Sequence, residues 1–349
     1  PRSTLFPYTT LFRSSMNYRL GAEGFSILDG VPRNLGLLDV IAATEWVFRE
    51  IAAFGGDPGR VTLMGESAGG ALVAAAMTTP SIGPRAHGAI IQSGPVDASP
   101  PARAGRVTRA IAKQLGIPAT REAFLAVDPQ RLVEARLAQA KRSSPLSGAG
   151  FALALDEATL PRSPDEGLAD AASPLLIGTN TDEYRLWLTP SALASLGPVK
   201  VAVAGLLARI PARAIRAARD AGSPGAEALG QAVSDKILRA PATRVARRRA
   251  ARTFVYEFAW QSPVRDLRAA HAVEIAFAFG RLDTPDAVAL SGTTAPRSLA
   301  DEMHGAWLAF IRTGDPGWPD FGTERTTRVF DTVSETLPQR RPDVIDALG

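Results

Sequence analysis

Four short apolar runs, each cut off by glycine or a polar turn, set the rhythm of this chain: Val61–Met64, Gly88–Ser93, Pro174–Ile177 and Thr253–Trp260. Consecutive apolar, β-branched or aromatic residues over so short a span predict buried strands. Between them the hydrophobic period lengthens. Leu37–Phe54 predicts an amphipathic helix with Leu38, Ile41, Ala42, Trp46 and Ile51 near one face, ended by Gly55-Gly56-Asp57-Pro58. Ala68–Ala76 reads as a small-residue helix, and Leu299–Arg312 as a helix with Met303, Trp307, Phe310 and Ile311 on its apolar side. Helical patterns near 101–142, punctuated by Pro118 and Pro129, predict a first insertion. A second spans about 190–251 and is split by Pro211 and Gly222-Ser223-Pro224. Strands alternating with helices fit one α/β domain carrying insertions better than two independent domains.

The first strand runs into Gly65-Glu66-Ser67-Ala68-Gly69-Gly70 and then directly into a helix. Strand, sharp turn with serine at its apex, helix: that context makes Gly-x-Ser-x-Gly a candidate nucleophile elbow, not an incidental surface turn. Gly65 and Gly69 are expected to let the backbone close around Ser67 and to adopt positive φ. A nucleophilic serine needs a base, and the chain has three histidines, His87, His271 and His304. His87 leads into a strand, and His304 lies on the flank of a helix. His271 follows the Thr253 strand across a charged loop, where the general base of such an enzyme belongs. The acid is sought past the Pro174 strand, where Asp182 and Glu183 stand side by side. Spacing does not separate these two.

Several segments, in order, are similar to one known family: Asn17–Gly21, Asn34–Asp39, Phe54–Pro58, Gly65–Gly70, Gln92-Ser93-Gly94, Gly178–Glu183, His271–Glu274 leading to Phe279-Gly280, and Trp307 with Thr313–Pro316. They run from about 16 to about 332 and resemble the type-B carboxylesterases, which are cholinesterase-like α/β-hydrolases. The resemblance implies a mostly parallel central sheet with helices on both faces and helical insertions over the site. It implies Ser67 as nucleophile, Glu183 and not Asp182 as acid, His271 as base, and Glu66 on the site floor. A glycine usually follows the acid in the family; Tyr184 stands there in this chain. The expected chemistry is hydrolysis of small carboxylic esters through an acyl-enzyme, with the Ala68 N–H as an oxyanion donor and no cofactor. Tyr184, Trp187, Phe277 and Phe279 are candidates for the pocket wall or for ordinary core.

Residues Thr4–Ser14 read as the in-frame translation of a common sequencing adapter, so 1–14 is expected to be a non-native tail and 15–349 an incomplete domain. The remainder is expected to begin inside a strand ending at Asn17-Tyr18-Arg19. In the family, the region upstream carries the first strands and a His-Gly-Gly-Gly-type loop that completes the oxyanion hole; this sequence contains no such motif. Losing one oxyanion donor costs about 10²–10³ in rate, so the chain is expected to be an impaired esterase. A silent cholinesterase-like interaction domain and an inert fragment are the alternatives; three filled triad positions disfavour the first of these.

Composition narrows the rest. With 46% hydrophobic residues in 349, a large core is available. Mean hydropathy is near zero, and no apolar run reaches the eighteen residues a membrane span needs. There are no cysteines and no metal-ligand spacing, so neither disulfides nor a metal site is expected. A net charge of +4 is mild for this length. The densest basic run, Arg244–Arg252, lacks the interleaved aromatics of a nucleic-acid surface and reads as a solvated helix end. Small-molecule esters are the expected partners, while compartment and oligomeric state stay open.

Overall fold

Among the described residues six strands build one sheet in the order of the chain: β1 (Thr62–Glu66), β2 (Gly88–Gln92), β3 (Leu175–Asn180), β4 (Thr253–Phe258), β5 (Thr326–Phe330) and β6 (Glu335–Pro338). The computed structural model describes residues 13–142 and 150–348. β1 to β5 are parallel, and β6 returns antiparallel against β5. Every residue of β2, β3 and β4 is buried, the pattern of strands covered on both faces.

The register sorts side chains into two cores. Ile91, Ile177 and Val255 lie abreast and face one cluster with Leu37, Leu72 and Met77. Their neighbours Ile90, Leu176 and Phe254 face the other, with Trp307, Phe310 and Phe330. The second core is largely aromatic: Tyr256 meets Trp307 at 5.0 Å between ring centroids and Phe258 meets Phe277 at 5.1 Å. Such tilted and edge-on pairs add to the burial of the rings themselves. The fold is therefore a mostly parallel α/β sheet with helices on both faces, and all its parallel strands deliver their carboxyl ends to one rim.

The expected helices form, with informative departures. The helix Leu35–Glu50 buries Leu37, Val40, Thr44 and Phe48, while Trp46 is 42% exposed. The buried stripe was misplaced because it contains a threonine, whose hydroxyl donates to the Val40 carbonyl and so is satisfied inside. β1 continues through Gly65 and Glu66, two residues beyond the expected end. No strand forms over residues 13–20, contrary to expectation. There the Arg19 N–H goes to the Asp39 carboxylate, which its guanidinium also grips, so it has no sheet partner. Nearly all of the adapter-like tail, residues 1–12, lies outside the described residues.

The span expected as the first insertion holds helices Pro101–Ala104, Arg106–Leu115, Arg121–Leu125 and Pro129–Arg142 around Val107, Ile111, Phe124 and Leu132. The second holds Pro190–Ala194, Pro198–Leu207, Ala212–Asp220, Glu227–Ser234 and Ala240–Arg248, the last two joined by a π-helical turn, Asp235–Arg239. Among the described residues no helix is long and apolar enough to cross a membrane. The basic run is not a wholly solvated helix end. Arg249 is buried and donates to the carbonyls of Leu168 and Ser173 and to Thr253 Oγ1.

The π-turn aims a charge cluster at the carboxyl ends of β3 and β4. Arg239, fully enclosed, donates to Asp235 and to Glu257 at 2.9 Å each, and to the Asn180 carbonyl at 3.1 Å. Arg340 reaches Glu257 and Thr181 Oγ1, each at 2.9 Å. Burial pushes the Asp235 carboxyl up to about 6 against the pull of Arg239. Burial opposes ionisation of Glu257 as well, but Arg239 and Arg340 outweigh it and hold that carboxyl below its ordinary value. Removing one partner would leave the others charged and enclosed, which costs about 3–5 kcal/mol. Arg239→Met is expected to lower stability by that amount in guanidinium denaturation; a loss under about 1 kcal/mol would mean the cluster is solvated.

Candidate active site

β1 ends at Glu66 and the helix Ala68–Met77 starts two residues later, so Ser67 alone must turn the chain. It does so at φ 52° and ψ −119°, a strained conformation for a residue with a side chain. The positive φ falls on the serine itself, not on Gly65 or Gly69 as expected. Gly65 is needed for space: a Cβ there would lie 2.3 Å from the Gly69 carbonyl oxygen. A Cβ on Gly69 would meet nothing within 4 Å, so the second close approach belongs to its neighbour Gly70, packed on Gly94. The Ser67 N–H donates to the Gln92 carbonyl at 2.9 Å, tying the turn to the end of β2. Ala68 is exposed at the start of the helix.

The two candidate acids separate cleanly. Glu183 is 1% exposed, and its Oε2 lies 2.6 Å from His271 Nδ1. Its Oε1 accepts from Ser93 Oγ at 2.6 Å and from the Asn180 N–H at 2.7 Å. Asp182 instead gives its N–H to the Ala269 carbonyl and turns its carboxylate toward Arg185, 3.8 Å away. His271 sits on the loop after β4, buried. Neither other histidine is near this pair in role: His87 opens β2 with its N–H on the Val61 carbonyl, and His304 Nδ1 pairs with the Ala278 carbonyl.

The remaining ring nitrogen faces a second carboxylate. His271 Nε2 lies 3.0 Å from Glu66 Oε1, and among the described residues no hydrogen bond joins it to Ser67 Oγ. The structure thus brings Glu66, Glu183 and His271 together, with Ser67 adjoining Glu66 in the chain. For Ser67 to give up its proton, Nε2 must leave Glu66 and accept from the hydroxyl of the next residue. A third carboxylate, Glu274, is fully buried behind the ring. It accepts from Asn180 Nδ2 at 2.5 Å and Gln92 Nε2 at 3.2 Å, and Gln92 Oε1 accepts in turn from Trp307 Nε1 at 3.3 Å.

Three carboxylates around one imidazole dictate the proton affinities. Burial raises Glu66 to about 7, with His271 lowering it and Glu183 raising it. Burial also raises Glu274 to about 8, helped by Glu66 and Glu183 and opposed by Asn180 and His271. Burial disfavours the imidazolium, but the hydrogen bond and charge of Glu183, then the charges of Glu66 and Glu274, outweigh it and raise His271 to about 9. Protons are therefore held by a cluster and not by one group.

Sequence reasoning missed Ser93 and Glu274 as site residues, although both fall in segments that carry the resemblance. The signal available for Glu274 was a carboxylate three residues past the base. Of the aromatic candidates, Trp187 packs on the His271 ring at 4.7 Å between centroids. Tyr184 and Phe277 are core. Tyr184 fits because Gly230 faces it; a Cβ on Gly230 would lie 2.4 Å from its ring.

A strained serine between a parallel strand and a helix, with a histidine–carboxylate pair on the loops after later strands, defines an α/β-hydrolase. The sequence profile of the Carboxylesterase family matches residues 11–201. The para-nitrobenzyl esterase of Bacillus subtilis (strain 168) is 33% identical over 342 residues, covering 91% of this chain and 68% of the relative. The phenmedipham hydrolase of Pseudarthrobacter oxydans is 33% identical over 332 residues, covering 88% and 66%. A carboxylesterase structure from Geobacillus stearothermophilus superposes with a TM-score of 0.83 at 31% identity, covering 95% of this chain and 74% of that one. The chain spans about two thirds of the length of these relatives by sequence. It belongs to the carboxylesterase family and is by family a carboxylic ester hydrolase.

The proton cluster has a measurable sign. His271 and Glu66 both have folded values above their ordinary 6.5 and 4.5, so each binds its proton more tightly in the folded chain. The Glu66 contribution to stability is full below pH 4.5 and lost as pH rises through about 7; that of His271 is full below pH 6.5 and lost through about 9. Since the Glu66 charge helps to hold the imidazolium, Glu66→Gln is expected to lower the His271 titration midpoint, read by NMR of its ring protons. An unchanged midpoint would remove Glu66 from the cluster.

Proposed function

We propose that this site hydrolyses small carboxylic esters through an acyl-enzyme on Ser67, with His271 as base and Glu183 as the acid that orients it. The carrying observation is the 2.6 Å contact between His271 Nδ1 and Glu183 Oε2, with Nε2 of the same ring 3.0 Å from Glu66, the residue before the strained Ser67 turn. Ser67 Oγ attacks the ester carbonyl carbon while neutral His271 takes its proton at Nε2. Nδ1–H stays on Glu183, which stabilises the imidazolium as it forms. The tetrahedral oxygen is received by the Ala68 N–H at the start of the helix. Collapse breaks the bond to the alkoxy oxygen, which leaves with the proton from Nε2. Water, deprotonated by the same nitrogen, then releases the acid and restores Ser67.

Because the base must be neutral and His271 is raised to about 9, turnover is expected to climb with pH through the neutral range. Trp187, half exposed beside the imidazole, offers a flat face for an aryl or benzyl group. That agrees with the para-nitrobenzyl ester named for one relative, and the phenmedipham named for another makes carbamates secondary candidates. The sequence has no His-Gly-Gly-Gly motif, so with Ala68 as the one assigned donor we expect turnover to be limited at the oxyanion step. One observation favours the competing reading of a folded but silent domain: Nε2 faces Glu66 and not the serine.

Three variants test these readings. A fluorophosphonate probe is expected to label the chain and not Ser67→Ala, which should also lose at least about 10³-fold in hydrolysis of a chromogenic short-chain aryl ester. Labelling that survives the substitution would place the nucleophile elsewhere, and a folded wild type that neither labels nor turns over would support the silent domain. Glu183→Gln, which keeps the shape but permits the wrong imidazole tautomer, should lower kcat by about 10²–10⁴. Asp182→Asn, at a carboxylate that faces Arg185, should lower kcat less than tenfold by the same reasoning.

A further inference from the structure

The helix Pro198–Leu207 is built inside out. A surface helix ordinarily buries its large apolar side chains and shows water its polar ones. Here the buried positions are Val201 and Gly205, whereas Val199, Val203, Leu206 and Leu207 are 75%, 52%, 76% and 79% exposed. At about 100° per residue, Val199, Val203 and Leu206 form one stripe on the side opposite Val201 and Gly205. The inward choice has a steric cause: a Cβ on Gly205 would meet Ile215 Cδ1 at 2.8 Å, because the helix lies close on Ala212–Asp220. Nothing about that packing calls for leucine and valine on the far side.

The outward face is held firmly. Lys236 Nζ donates to the carbonyls of Ala208 and Arg209, at 2.7 and 2.9 Å, satisfying the helix end. Val201, Ile210, Ile215 and Leu229 share one buried cluster beneath. Positive charge predominates in the sequence around the stripe, although the helix Pro342–Asp346, packed on Ala212–Asp220, adds the exposed acids Asp343 and Asp346. From 188 to 226 the cationic side chains are Lys200, Arg209, Arg213, Arg216 and Arg219, all exposed, and the one acid is Asp220. That short stretch carries as much excess positive charge as the whole chain, +4. A second copy of this chain would bring the same sign to the contact and be repelled. An anionic lipid surface offers the opposite sign at its headgroups and an apolar layer just beneath, matching both halves of the face.

We propose that helix Pro198–Leu207, with the arginines of Ala212–Asp220, is a docking element for anionic lipid surfaces, lying in the interface with Val199, Val203, Leu206 and Leu207 inserted. The full chain is sedimented with vesicles of phosphatidylglycerol and phosphatidylcholine in equal parts, and with phosphatidylcholine vesicles alone. Binding is expected on the mixed vesicles, falling as salt is raised, and not on the neutral ones. Leu206→Ser combined with Leu207→Ser should reduce the bound fraction at least about tenfold, and Arg213→Ser with Arg216→Ser and Arg219→Ser about 10²-fold. Near-UV circular dichroism should be unchanged in both, because the altered side chains are exposed. The proposal is overturned if the wild type stays in the supernatant with anionic vesicles, or if it sediments equally with neutral ones. It is equally overturned if the leucine variant binds like wild type, or if light scattering without lipid finds a dimer that the leucine substitutions dissolve, which would give the face to a second copy.

Discussion

The hydrogen bond between His271 Nδ1 and Glu183 Oε2 joins two loops that arrive from different strands, and the geometry of the site depends on it. Parallel strands bring their carboxyl ends to one rim, which places the Glu183 loop beside the His271 loop but does not orient either. Orientation comes from saturating the carboxylate. Oε1 is occupied by Ser93 Oγ and the Asn180 N–H, leaving Oε2 one direction in which to act, toward the ring. A carboxylate so enclosed fixes the tautomer of its partner, and the tautomer decides whether Nε2 is free to accept a proton. Every other feature of the rim bears on what that nitrogen faces.

Charge is concentrated below the rim to a degree that apolar packing alone would not tolerate. Glu66, Glu183 and Glu274 surround one imidazole, while Arg239 sits among Asp235, Glu257 and the carbonyl of Asn180. The two groups meet at the end of β3, where Asn180 donates its N–H to Glu183 and its side-chain amide to Glu274, and accepts from Arg239 at its carbonyl oxygen. Buried carboxylates either find a cation or keep a proton, and both solutions are used side by side. Glu257 finds cations and stays ionised; Glu66 and Glu274 hold protons more tightly than carboxyls in water.

Much of this was legible in the residues. The buried strands β2 to β4, the serine turn and the histidine after β4 each follow from short-range patterns; β1 is also expected to be buried, but only its Leu63 is. What spacing left open was long-range. Asp182 and Glu183 are adjacent and chemically alike, and only the fold shows that one faces His271 and the other Arg185. The glycines are needed for space and not for positive φ, and close approach to Gly94 on the loop after β2 selects Gly70 over Gly69. Glu66 was placed on the site floor by resemblance, but its competition with Ser67 for Nε2 is a distance and has no signature along the chain. The inverted helix at 198–207 also defies pattern reading, which assumes that the larger apolar face points inward.

The clamp on Thr181 and Glu257 comes from far along the polypeptide: Thr181 and Arg340 are 159 positions apart. During synthesis on the ribosome, Ser67, Glu183 and His271 all emerge well before Arg340, and the loop bearing the acid waits for its last anchor. A nascent chain therefore carries its candidate site residues before the Arg340 contact on that loop can form.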